Sequence, residues 1–504
     1  MSFRAQTIWK GTIGLGLASV FCRFIGMVPR FYLPRLIGLE AIGLYQMSYP
    51  LLLLLLTLLC GGFPMVLARW TGQQMISTQD AVKLGSKWTS RIGLGCIITF
   101  FISVPWIVTN LYHDHRLIWP MLIVPWIVYL VMASSAWRGL ALGKGQLTTG
   151  ALAQTAEALL RVCISLWIGY EFGKQYPIEW TACALMGSVF VGEAASFLIW
   201  KFKFKQQHNQ NEKINGSSAQ LSMKKLFKES LPFTAQKVAG ALAFWAESIW
   251  ILYCLASFGV SHVAILSGYG VIQATLLPLI MFPGSISLSV ATGLFSAIAQ
   301  AKEDESKIEV VRMVRQSLAI SWWTSIPFHT VMLLFTAPIC AAIYGNQSYV
   351  QWMIMLLMFG FNVSLQSPLQ NILQADGRAS FAMWNTITGS IIKMMCMLVL
   401  PKLFDDPWIG IILSMGIGMT WTTACAFWQT RGWWGGKDIH PTDLIKLISG
   451  YAFLPFAWTL TDAFGTVYNR SMIIILVYTI LMIVFYRGWL KQKIRLLKEK
   501  RLST

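Results

Sequence analysis

The sequence predicts an all-α polytopic membrane protein of about 14 transmembrane helices, arranged as two pseudo-symmetric six-helix lobes plus two C-terminal helices. Three observations predict it. Of 504 residues, 56% are hydrophobic and 12% are charged, about half the charge of an ordinary soluble chain. The apolar residues come in continuous runs near the ~20 residues that cross a bilayer, without the alternation of a transmembrane barrel. Basic residues crowd every second gap between the runs, the asymmetry that orients a multi-span chain. With a mean hydropathy of +0.58, this composition excludes a soluble enzyme, a disordered chain and a secreted disulfide scaffold.

The apolar runs fall in order at 9–31, 43–68, 92–112, 118–137, 149–170, 178–200, 232–258, 265–298, 317–343, 350–373, 380–400, 408–428, 446–462 and 470–487. Arg4 and Lys10 precede the first run as in a signal peptide. No small-residue cleavage site follows, however, and the run continues through Arg23 to Pro29, so it reads as a span. Several runs exceed the bilayer, which predicts tilts or kinks, with Pro29, Pro34, Pro64, Pro283 and Pro368 as kink sites. The gaps expected on the cytoplasmic side hold 30 Lys and Arg, from Arg4 and Lys10 to the seven between Arg487 and Arg501. The opposite gaps hold six: Arg30, Arg35, Arg116, Lys174, Lys402 and Arg470. That split predicts a cytoplasmic-membrane protein with both termini in the cytoplasm.

The polar stretch at 201–230, lysine-rich at its ends, reads as a cytoplasmic linker. It divides an N-terminal lobe at 1–200 from a C-terminal lobe at 231–430, with 431–504 adding spans 13 and 14 and a basic tail. A formal charge of +19 reads in such a chain as the inside-positive bias and an attraction to anionic lipid, with no nucleic-acid partner. The nine cysteines form no CxxC pair and sit in apolar stretches, as small packing residues do. His113-Asp114-His115 reads as a solvated loop, for want of further ligands nearby. Most of the 23 Trp and 29 Phe read as interfacial belts and lipid-facing bulk. No GxxxxGK[ST] or HExxH motif is present, and no soluble segment is long enough for a catalytic domain, so the chain is expected not to be an enzyme.

A weak internal repeat relates the segment from Gly143 to the segment from Ala375. Each has a polar turn leading into an apolar span, and aligning Gly145 with Gly377 places Arg161 opposite Lys393. Spans four and five then correspond to ten and eleven, as two six-span halves require. An ionisable group inside a span costs about 2.5–3.5 kcal/mol on insertion scales and therefore marks function or pairing. The cations are Arg23, Arg161, Lys237 and Lys393, with Arg30 and Arg35 at the outer end of span one; the acids are Glu157, Glu193 and Glu247. One reading gathers the cations around an anionic head group, with Arg supplying a fork and Lys a point charge. The other pairs charges: Glu157 and Arg161 are i,i+4 on one face, while Lys237 and Glu247 lie about 15 Å apart along one helix, too far to meet.

The segment LASVFCRFIGMVPRFYLPRLIGLEAIGLYQMSYP resembles the opening of the polysaccharide-transport branch of the multidrug/oligosaccharidyl-lipid/polysaccharide exporters, and within it the stage V sporulation protein B and lipid II flippase group. GGFPMVLAR at 61–69, WRGLALGKGQ at 137–146 and LQADGRAS at 373–380 match that group in character. The resemblance implies a central cavity between two lobes and alternating access. It also implies flipping of an undecaprenyl-pyrophosphate-linked peptidoglycan precursor or related glycan in cell-wall or spore-cortex synthesis, alongside cell-wall synthesis proteins. Arg23 and Arg30 would be the span-one cations that meet pyrophosphate, joined by Arg161, Lys237 and Lys393. The arginines that the lipid II flippases of Gram-negative bacteria carry in spans two and eight have no counterpart here, which leaves the glycan open. Two alternatives stand beside this reading. A multidrug exporter of the same superfamily would use Glu157, Glu193 and Glu247 for coupling to H+, Na+ or membrane potential. A non-transporting scaffold for envelope or spore assembly would have no use for buried charges.

Overall fold

The computed structural model describes residues 21–173, 175–207, 223–284, scattered positions between 311 and 329, then 331–376 and 378–431. Among these residues the chain is all helical. In order the helices are α1 (21–37), α2 (Leu39–Gly72), α3 (Thr78–Tyr112), α4 (His115–Gly143), α5 (Leu147–Phe172), α6 (Ile178–Gln207), α7 (Met223–Ser257), α8 (His262–Ile280), α9 (Thr336–Tyr344 in its described part), α10 (Val350–Ala375), α11 (Ala379–Val399) and α12 (Pro407–Thr430). Among the described residues ten, α2 to α8 and α10 to α12, are long and apolar enough to cross a bilayer. The expected spans 13 and 14, the basic tail, the N-terminal half of span one and parts of spans eight and nine lie outside the described residues, as does 208–222 of the expected linker. The rest of that linker is helical: α6 continues to Gln207 and α7 starts at Met223.

Short polar residues start the helices where the sequence supplies them. Ser77 accepts a hydrogen bond from the Asp80 amide at 3.0 Å, Asp114 from the Arg116 amide at 3.0 Å and Asp406 from the Trp408 amide at 3.0 Å, each satisfying an orphan donor of the first turn. Gly38, at φ +81°, reverses the chain between α1 and α2, a backbone state that costs glycine little. Two spans are broken. α2 is interrupted at Gly61-Gly62, just before Pro64. α8 passes through a π-helical turn at Val271–Leu276 immediately ahead of Pro278, and it is interrupted again at Met281, just before Pro283.

The N-terminal helices pack on one another through α4–α6, α5–α6 and α2–α4, and the C-terminal ones through α10–α12, α11–α12 and α7–α11. The seam between the two groups runs along α2, which lies against both α7 and α8. Lipid tails are as apolar as leucine, so close approach rather than a hydrophobic drive holds helices together here. At the seam that approach needs glycine. A Cβ on Gly43 would collide with the Leu266 carbonyl of α8, and one on Gly62 with the Ser230 carbonyl of α7. Leu44, Met47, Leu266 and Tyr269 fill the seam and are fully buried, while Ile102 and Trp106 on α3 face outward.

Candidate functional site

Several charged residues of α1, α4, α5 and α6 form one neighbourhood. Cys22 anchors α1 on α5, its Sγ 3.6 Å from the Gln154 carbonyl and 3.8 Å from Thr155 Oγ1. On α5, Glu157 Oε1 lies 3.9 Å from Arg161 Nη1. Gly192 of α6 rests against the stems of both residues, which brings Glu193 beside them. Glu193 accepts a hydrogen bond from Arg138 Nη2 of α4 at 2.9 Å, and the same nitrogen lies 3.4 Å from Ser196 Oγ. Arg138, which falls in a gap between the apolar runs, thus lies within α4 and pairs with α6. Toward α2, Arg161 and Arg30 are both within electrostatic reach of Tyr45 and Tyr49 and of each other. The two tyrosine rings stand one turn apart with centroids 6.2 Å apart. Neither hydroxyl hydrogen-bonds a described residue. Arg23 is exposed on α1 with no partner among the described residues. Three guanidiniums, of Arg30, Arg138 and Arg161, thus share one neighbourhood with two carboxylates, those of Glu157 and Glu193.

Three cations reach across the seam to backbone carbonyls. Arg30 donates from Nε to Gly26 O of its own helix at 3.2 Å and from Nη1 to Ala274 O of α8 at 3.1 Å. Lys237 of α7 donates to Gly61 O, at the break in α2, at 3.1 Å. Arg35 donates to Ala341 O of α9. α2 and α8 are thus each met by a cation from a helix of the opposite group.

Lys393 and Glu247 do not join the arginine neighbourhood. They form an ion pair with each other between α11 and α7, with side chains 13% and 6% exposed. The expectation of a single cationic focus drawn from spans one, five, seven and eleven is corrected on this point. Arg30 and Arg161 come together, whereas the Lys393 charge is already matched by Glu247 and Lys237 is engaged at Gly61. A second network sits at the end of the molecule that carries the α3–α4 turn. Asp114 is 7% exposed and pairs with Arg116 at 2.9 Å; Arg116 reaches Glu40 of α2 at 2.6 Å, and His262 of α8 lies 3.5 Å from Asp114. Beside it His113 Nε2 is 3.0 Å from the Tyr253 hydroxyl, which donates to Asn110 O at 3.1 Å. In the loop read as solvated, His113 and His115 are exposed, while Asp114 is buried in a seam contact. Among the described residues no group of His, Cys, Asp and Glu is placed to hold a metal.

Tyr45, Tyr49, Arg138 and the Asp114 network escaped the reading of single residues. Tyr45 and Tyr49 carried a signal, an i,i+4 aromatic pair within GLYQMSYP. Arg138 carried none beyond its place beside an apolar run.

The arrangement is that of a multi-span membrane protein, and known proteins share it. Residues 8–288 match the family described as polysaccharide biosynthesis protein. Stage V sporulation protein B of Bacillus subtilis (strain 168) is 27% identical over 83% of this chain and 82% of its own length. Lipid II flippase MurJ of the same organism is 21% identical over 82% and 80%. Among solved structures, lipid II flippase MurJ in an inward closed conformation superposes with a TM-score of 0.65 at 14% identity, covering 95% of this chain and all of that one. An inward-facing MATE family multidrug resistance transporter of the MOP superfamily superposes at 0.63 and 12% identity, over 87% and 96%. The chain belongs to the polysaccharide biosynthesis protein family and is similar to stage V sporulation protein B.

Proposed function

We propose that the protein is a flippase that carries an undecaprenyl-diphosphate-linked glycan, a peptidoglycan precursor such as lipid II or a relative of it, across the bacterial cytoplasmic membrane in cell-wall or spore-cortex synthesis. The observation that carries this reading is the excess of three guanidiniums, of Arg30, Arg138 and Arg161, over the two carboxylates of Glu157 and Glu193 in their neighbourhood. Arginine forks match phosphoryl oxygens two at a time, and the Tyr45 and Tyr49 hydroxyls add neutral donors beside Arg30 and Arg161. The diphosphate would engage Arg30 and Arg161, with Arg23 at the approach, while the polyprenyl tail stays in lipid. Two six-helix lobes, 1–200 and 231–430, would rock about the α2 seam and expose the site to each side in turn. Residues 201–230 join them on the cytoplasmic side, where both termini lie, and the Asp114 network closes the outer side. Similarity to a lipid II flippase supports the substrate class.

The direct test is flipping of labelled lipid II in proteoliposomes, read as its exposure to an external reagent. Arg161→Ala should abolish it while the protein stays monodisperse. Flipping unchanged by Arg161→Ala would sink the reading. A second reading, cation-coupled drug export, draws on Glu157 and Glu193, which lie within electrostatic reach of each other. Each already has an arginine partner, so the acids are less free to take a coupling ion.

A further inference from the structure

Arg30 does two things that a simple binding residue does not. It belongs to the N-terminal helices, yet its Nη1 holds the Ala274 carbonyl of α8, on the other side of the seam, at 3.1 Å. That carbonyl is available for a reason visible in the sequence. The donor an α-helix would offer Ala274 O is the amide four residues on, and that residue is Pro278, which has no N–H. The ladder of α8 widens into its π-helical turn over Val271–Leu276, where Leu277 N–H reaches back five residues to Ile272 O. A carbonyl at membrane depth that has lost its α-helical donor gains from another, and Arg30 supplies one. The same guanidinium stands within electrostatic reach of Arg161, Tyr45 and Tyr49, the groups assigned above to the diphosphate.

We propose that Arg30 is a ligand-released tether: unliganded, it pins α8 to α1 through Ala274 O, and an arriving diphosphate draws it off that carbonyl and loosens the seam. This rests on the substrate class proposed above and adds how binding is converted into movement. A guanidinium bonds more strongly to a doubly charged phosphoryl group than to a neutral carbonyl, so the exchange runs toward the ligand. A substrate that kept the tether intact would bind without opening the protein. Only a ligand with differential affinity for the two arrangements can shift their balance, and the swap of partners at Arg30 supplies that difference. Lys237, donating to Gly61 O at the break in α2, repeats the device with the groups exchanged.

Tyr176 and Val263 are exposed positions on opposite sides of the seam at the Asp114 end. The test is a distance measurement between spin labels at Tyr176→Cys and Val263→Cys, in the full chain in nanodiscs with the other cysteines replaced. Two variants release the tether in different ways. Arg30→Ala removes the donor, and Pro278→Ala gives Ala274 O a helical N–H so that Arg30 is no longer needed there. Without ligand, both should raise the separated population roughly tenfold, the worth of a charge-assisted hydrogen bond. Farnesyl diphosphate should do the same to the parent protein and nothing further to Arg30→Ala. Pro278→Ala, which keeps the charge, should bind farnesyl diphosphate more tightly than the parent. Inorganic pyrophosphate and farnesol separate the sources. A shift with both diphosphates names the diphosphate group as trigger, a shift with farnesyl diphosphate alone names the lipid headgroup, and an equal shift with farnesol overturns the proposal. If farnesyl diphosphate fails to bind the parent, the substrate reading falls. The tether is still judged by the unliganded variants, and unchanged distances in both overturn it.

Discussion

At the scale of single residues, what decides the role of each charge is its partner. Lys393 and Glu247 are nearly buried together, and removing one member of such a pair strands the other in a low-dielectric setting at a cost of about 3–5 kcal/mol. Lys393→Met should therefore lower the melting temperature sharply, and Lys393→Met with Glu247→Gln should regain most of the loss. Thermal unfolding followed by tryptophan fluorescence checks both, and equal melting of the single and double variants would refute the pairing. A transport defect in Lys393→Ala then reports folding unless stability is measured beside it. Glu157 is the opposite case. It lies 3.9 Å from Arg161 in a contact that is partly open, so Glu157→Gln should leave the fold intact and free Arg161. Affinity for farnesyl diphosphate, measured by calorimetry, should rise about 3- to 10-fold, and a fall would show that Glu157 positions Arg161 rather than competing with ligand.

At the scale of elements, the seam depends on how closely α2 approaches α8. Leu266 O occupies the space a Cβ on Gly43 would need, and the backbone carbonyl cannot rotate away as a side chain would. Gly43→Val should separate the two helices and destabilise the protein by about 1–3 kcal/mol. Gly26 has open space around it, so Gly26→Ala, on α1, should be neutral in the same melting experiment. The order of the helices was legible because each apolar run is long and bounded by charge or turn residues. The break in α8 was not. Pro278 and Pro283 both sit in the same apolar run, and only the structure shows that the ladder widens to a π-helical turn before the first and stops at Met281 before the second.

At the scale of the whole molecule, closure at the Asp114 end is distributed over Asp114–His262, His113–Tyr253 and Arg35–Ala341. A covalent link would hold this end together whatever these contacts do. Bridging Asn110→Cys to Tyr253→Cys with a short thiol-reactive linker, where the parent side chain and carbonyl are 3.1 Å apart, should stop flipping and restore it on reduction. Transport that continues through the cross-link would show that this end does not open.

Composition and the spacing of apolar runs determined by themselves that the chain lives in a membrane, since no other medium accommodates so many long uncharged stretches. The distribution of lysine and arginine predicted an orientation for the same physical reason, the cost of moving positive charge across the bilayer. Arg23, Arg30 and Arg161 stood out in the sequence because charge in a span always demands an account. Which charges cancel was decided only by the tertiary structure. Glu247 and Lys393 are 146 positions apart, and Arg30 and Ala274 are 244 apart, so no local pattern records that they meet. Coulomb and hydrogen-bond energies fall off within a few ångströms, and only the packing of α1 on α8 and of α7 on α11 brings these groups within that range.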